Sequence, residues 1–169
     1  MRWTRLFGAI GLSTLAIGCG LSPSSPSNPV IGENVDAQAV AHELAALAGT
    51  WEYEKQVVEG KEMPIKSMSK DYITINGDSM VRETCSADGQ RSWPPIKSTI
   101  RIDPTVTPKL LDDLMVSELR TKPCGGIYKL EGDRLTLCWN NSGPERPSGF
   151  DSPAGSSFVL TLLRRRLSK

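Results

Sequence analysis

Histidine is nearly absent from this chain, His42 being the only one. Catalysis by an activated nucleophile needs a base within reach and a third group to orient it. His42 sits beside Glu43 in a helical stretch, where it reads as a surface residue, and no Ser or Cys stands in a recognisable nucleophile motif. Asp112 and Asp113 are adjacent, so a strand would send them to opposite faces and not pair them as acid and base. No enzyme and no cofactor are expected. A basic excess is missing as well: the formal charge is +1, and loss of Arg2 and Arg5 with an N-terminal leader takes it to about −1. Scattered lysines and arginines leave no footprint for nucleic acid, and Arg164-Arg165-Arg166 is short enough to be a solvated strand end.

Long apolar runs are lacking too. Leu6 to Ile17 is the longest, too short to span a bilayer, and after Arg2 and Arg5 it reads as an export signal. Leu15-Ala16-Ile17-Gly18-Cys19 resembles a bacterial lipobox, with Ala16 where leucine is usual. Cys19 is then the expected lipidation site, and several acyl chains would make attachment stable where one would not. Pro23, Pro26 and Pro29 recur among serines without apolar period, as in a semi-extended spacer. The organisation expected is a lipoprotein signal peptide over 1–18, a lipid-anchored Pro/Ser-rich tether over 19–35 and one folded domain over 36–169. The protein would sit at the cell envelope, membrane-anchored, facing the periplasm or the exterior.

Cysteine is scarce. Beyond Cys19 only Cys85, Cys124 and Cys138 remain, and export favours a disulfide, with one thiol left over. Alternation puts Cys124 with Tyr128 and Leu130 but Cys138 with Arg134 and Thr136, unless Gly125-Gly126 carries a bulge. Cys85 with Cys124 is the preferred pair, with connectivity left open. No two of these residues have metal-ligand spacing with His42, so no metal site is expected.

What is present is strand periodicity. In GGIYKLEGDRLTLCW, residues 125–139, Tyr128 and Leu130 alternate with polar positions, Glu131-Gly132-Asp133 turns, and Leu135, Leu137 and Trp139 alternate on the return. Before it, Asp36 to Ala48 reads as a helix capped by Asp36 and stopped by Gly49. Trp51, Tyr53 and Val57 then share one face of a strand, with Glu52, Glu54 and Gln56 on the other. Tyr72–Ile75 and Met80–Cys85 form a hairpin around Asn76-Gly77, and Ser98–Asp103 is a further strand. Leu110–Leu119 is a weaker strand that contains Asp112-Asp113, and Phe158–Arg164 is the last. Eight strands joined by loops short enough for antiparallel neighbours predict an all-β, eight-stranded antiparallel up-and-down barrel with a short N-terminal helix.

Gly49-Thr50-Trp51 and the closing Leu160-Thr161-Leu162-Leu163-Arg164 resemble the lipocalin arrangement, in which a first-strand tryptophan meets an arginine of the final strand. The pieces GTW, EGKEMP, RIDPTVTPK, GIYKLEGDRLTLC, ERPSGF and LTLLR run in order over residues 49–164. Together they resemble the lipocalin-like domain family of planctomycete bacteria, whose function is largely unassigned. The resemblance implies the barrel and a closing contact between Trp51 and Arg164; it implies no activity. Asp112-Asp113 departs from the family's usual apolar residue in that strand.

Two functions are compatible with such a barrel. The first is a small apolar ligand held by Trp51, Tyr53, Tyr128, Leu130, Leu137, Trp139 and Phe158 on the inner face. The second is a filled barrel that acts as an inhibitor-like or interaction module for an envelope protein, presenting Trp93-Pro94-Pro95 or the loop around Phe150. Bulk favours the second, since five aromatic rings crowd one small barrel. A monomer is expected in either case.

Overall fold

The computed structural model describes residues 31–32, 34–64, 69–86, 88–115 and 122–167. The expected leader, Cys19 and nearly all of the tether lie outside them. Helix α1 (Ala37–Leu47) begins where Asp36 Oδ1 accepts from the N–H groups of Gln38 and Ala39, at 2.9 and 3.2 Å. This satisfies two donors that the first turn leaves open. His42 on this helix is exposed.

The strands are β1 (Gly49–Val58), β2 (Lys61–Met63), β3 (Ser69–Asn76), β4 (Ser79–Ser86), β5 (Ile96–Asp103), β6 (Lys109–Asp113), β7 (Cys124–Glu131), β8 (Arg134–Asn140) and β9 (Phe158–Arg165). Each pairs antiparallel with the next around the wall, and β1 pairs with β9 to close it. The outcome is the expected eight-stranded antiparallel barrel. The short β2 is an addition, folding back on the end of β1 through a turn at Glu59-Gly60.

Alternation fills the lower half of the barrel. Trp51, Ile73, Ile75, Met80, Ile100, Leu111, Tyr128, Leu135, Leu137 and Leu163 form one cluster with almost no exposed surface. Helix α1 covers this end: Leu47 is fully buried, and Val40 and Leu44 pack on the cluster. Trp51 Nε1 donates to Leu47 O at 2.9 Å, and Lys109 Nζ meets Glu43 Oε1 at 2.6 Å. The opposite end carries the β1–β2 turn and the loops after β4, β6 and β8.

Three side-chain assignments differ from the sequence reading. The guanidinium over Trp51 belongs to Arg165, 4.1 Å from the ring centroid, and not to Arg164. Directly opposed residues share a face, and the register pairs Trp51 with Arg165 and Glu52 with Arg164. Arg164 therefore points outward, where Nε lies 3.7 Å from Glu54. The same shift by one removes Phe158 from the interior, since Val159, Thr161 and Leu163 are the buried residues of β9. In β1, an irregularity between Tyr53 and Lys55 inverts the alternation beyond it, so Gln56 faces inward opposite Thr161 and Val57 faces out.

Cys85 is a free thiol, so the expected Cys85–Cys124 disulfide is not formed. Strands β4 and β7 are separated by β5 and β6, three spacings of about 4.8 Å, whereas a disulfide needs Cα atoms within about 7 Å. Gly125-Gly126 carries no bulge either, because the register runs through both residues unbroken. Their lack of a Cβ has another cause. A Cβ on Gly125 would lie 2.2 Å from Pro144 O, and one on Gly126 would lie 3.0 Å from Trp139 Cβ. The loop after β8 is thus pressed onto the outer face of β7.

That loop carries Arg146, whose position the sequence did not suggest. Its Nη2 meets Asp112 Oδ1 at 2.6 Å, and its Nη1 donates to Leu111 O and Gly126 O at 3.1 and 3.0 Å. The carboxylate it meets, Asp112, is thus distant in sequence. Both side chains are at least nineteen-twentieths buried.

Candidate functional site at the open end of the barrel

The interior changes character from the helix end to the open end. Above the apolar cluster, β4 turns Arg82 inward opposite Ile73, β3 and β4 turn in Asp71 and Thr84, and β6 turns in Asp113 opposite Ile100. Gln56 and Thr161 join them because of the irregularity in β1. A layer of polar side chains thus lies on a filled apolar floor.

Arg82 is the centre of this layer. Its Nη2 lies 2.5 Å from Asp113 Oδ2, and its guanidinium stands 5.4 Å from the centroid of Trp139. Charge pairing and ring contact together compensate a buried cation. Its Nε, also buried, has no hydrogen-bond partner among the described residues, nor has the hydroxyl of the fully buried Thr161. Buried polar groups are normally satisfied, so an unused donor here marks a place where something else can bond.

A recess of about 280 Å³ opens beside it, bordered by Tyr53, Gln56, Asp71, Arg82, Thr84 and, at the rim, Trp93 and Ile96. Burial pushes the Tyr53 phenol up to about 12, with the Arg82 charge opposing and Asp71 adding. Tyr53 therefore remains an O–H donor at neutral pH. Burial also raises the Cys138 thiol to about 11, where Sγ donates to Asp151 O on the outer face. At the helix end, burial and the nearby Glu43 carboxylate push the Tyr128 phenol upward. None of these groups is poised as a base or nucleophile near pH 7.

Of the seven residues expected to hold a ligand, only Tyr53 borders this recess. Trp51, Tyr128, Leu137 and Trp139 are buried in the packed core, Leu130 lies against it, and Phe158 is on the other face. Arg82, Asp113, Gln56 and Thr161 were not foreseen. The signal for Arg82 was its parity with Met80 along one strand; for Gln56 there was none, because the irregularity leaves no mark in the sequence. A second hollow, about 480 Å³, lies at the helix end, between α1, Ile31 and β5, along Val40, Leu44, Ile100 and Ile102. It presents no buried charge, and it reads as a packing seam.

Among the described residues no group of His, Cys, Asp or Glu could hold a metal ion, and no helix is long and apolar enough to cross a membrane. No protein-family model, no curated protein and no solved structure matches the chain.

Proposed function

We propose that this chain is an envelope lipoprotein, fixed to a membrane through Cys19, whose barrel is a non-catalytic receptor for one small molecule at its open end. The observation that carries the ligand reading is the buried Arg82 Nε, unpartnered among the described residues, beside an open recess. The filled floor excludes a long acyl chain from the lower half. A recess just below the usual size of ligand sites, with Trp93 and Ile96 at its rim, suits only a small, flat amphipathic molecule. Its apolar face would lie on those side chains, and an acceptor oxygen would receive the Arg82 and Tyr53 donors. The expected apolar ligand is thereby narrowed to one with a polar end.

The anionic aromatic probe anilinonaphthalene sulfonate has this form and tests the site. It is expected to bind the folded protein one to one. The double variant Arg82→Met/Asp113→Asn removes the donor together with the carboxylate it faces, so neither charge of this pair is left buried alone and the fold should survive. Affinity should then fall about tenfold, the weight of one charge-assisted hydrogen bond. Equal affinities with unchanged circular dichroism would remove Arg82 from the site.

The anchor reading is supported by the leader, the small residue before Cys19 and the Pro/Ser stretch after it. Mass spectrometry of the protein purified from bacterial membranes should find Cys19 as an acylated first residue. Cleavage elsewhere, or an unmodified Cys19, would overturn it.

A further inference from the structure

We infer that the molecule taken by the open-end recess is a small zwitterion, with its acidic end on Arg82 and Tyr53, its ammonium on Asp71 and its apolar body against Trp93. An α-amino acid with a large apolar side chain has this form. The inference deepens the receptor reading above and rests on it.

Asp71 is the charge that an acceptor oxygen alone leaves unanswered. It faces the interior opposite Thr84, and the next inward pair along the same two strands is Ile73 with Arg82. Asp71 and Arg82 are therefore diagonal neighbours on one wall, about 7–8 Å apart across the ladder. They do not pair with each other, because Arg82 Nη2 turns to Asp113 Oδ2 at 2.5 Å. Lys70, next in the chain, points outward to Glu52 at 3.3 Å. Both Asp71 and Arg82 act on the Tyr53 phenol, with opposite sign, so that hydroxyl stands in the field of each. All three border the recess.

The charges of this layer do not balance. Among the described residues one inward cation, Arg82, stands against two inward carboxylates, Asp71 and Asp113. The other carboxylate at the border, Glu83, already has Arg91 Nε at 2.6 Å. A ligand that displaces water from the recess while offering only an oxygen would leave Asp71 desolvated and uncompensated, which is costly. A cationic group beside that oxygen removes the cost and gives Asp71 a charge-assisted hydrogen bond. The recess, about 280 Å³, is too small for a drug-sized ligand. Its rim is apolar: Trp93 is 72% exposed and Ile96 49%, so a hydrocarbon body laid there covers surface that otherwise meets water. Opposite charges held apart on the wall and apolar side chains at the rim together match the head and the side chain of an amino acid.

Calorimetric titration of the full chain with phenylalanine, with phenylpropionate, which lacks the ammonium, and with anilinonaphthalene sulfonate separates this inference from the reading beneath it. Phenylalanine is expected to bind about tenfold more tightly than phenylpropionate, the weight of one charge-assisted hydrogen bond. In Asp71→Asn, a half-exposed position where the change removes only the charge, the two should bind alike and the sulfonate no more weakly than before. If the sulfonate binds but phenylalanine has no advantage over phenylpropionate, or neither binds, the recess remains a receptor for an acceptor-bearing molecule and the zwitterion is overturned. An advantage that persists in Asp71→Asn would take the ammonium away from Asp71 and overturn the assignment. Failure of all three to bind would overturn the receptor reading, and the zwitterion with it.

Discussion

Replacing Asp112 with alanine should lower the stability of the domain by about 3–5 kcal/mol, the usual loss when one partner of a buried ion pair is removed. The carboxylate is 1% exposed and its arginine 5%, so little water can replace the missing charge. Arg146 would keep its bonds to Leu111 O and Gly126 O, but its buried positive charge would lose the carboxylate that faces it at 2.6 Å. The Ile31 N–H would lose its acceptor as well. Against a typical total of about 5–15 kcal/mol, that is a large share, and it should appear as a fall of roughly 10–20 °C in Tm. The double variant Asp112→Ala/Arg146→Met removes both charges and should recover part of the loss. If Asp112→Ala lowers the stability from urea unfolding by less than about 1 kcal/mol, the pair does not clamp the wall.

Arg165→Ala should come next, at about 2–4 kcal/mol, while Arg164→Ala should stay within about 0.5 kcal/mol. Arg165 lies over Trp51, and its Nη1 and Nη2 donate to Ala48 O and Ala46 O at 2.5 and 2.8 Å. Those carbonyls belong to the end of α1, where a helix has no acceptor partners of its own and a cation is favoured. One side chain therefore holds the last strand, the first strand and the helix together. Among the described residues Arg164 has only a surface pair with Glu54. Thermal unfolding of both variants decides between them, and equal midpoints would mean that the ring contact contributes nothing. Arg165→Lys should be intermediate, because it keeps the charge but loses the flat fork.

The contrast between these two arginines shows how far the sequence could be read. The hairpin of β7 and β8 was legible because its inner positions, Tyr128, Leu130, Leu135 and Leu137, alternate with outer Lys129, Arg134 and Thr136. In β9 the signal is absent. Phe158, Leu160 and Leu162 are as apolar as Val159 and Leu163, and the fully buried position between the latter two is a threonine. With both faces apolar, period two has no phase, and a shift of one residue exchanges every side chain between the faces. That single slip misplaced both Phe158 and Arg164. The candidate site was less legible still, since it depends on long-range pairs such as Arg82 with Asp113 and on a local irregularity in β1. Asp112-Asp113 was the exception: their opposite orientations followed from strand geometry alone. Only the tertiary fold shows that each carboxylate meets its own arginine.

Closure of β1 on β9 also bears on how the chain becomes native. The hydrogen bonds of that seam join the beginning of the domain to its end, so they form only once nearly every residue is available. Folds dominated by such distant contacts are slow to assemble. Until Phe158–Arg165 arrives, β1 and β8 each present an open ladder of backbone donors and acceptors, ready to pair with another chain. A polypeptide that emerges N-terminus first would pass through this sticky stage last, with Arg165 among the final contacts to lock. Truncation just before β9 is therefore expected to convert a self-contained molecule into one that aggregates, even though most of its core residues would still be present.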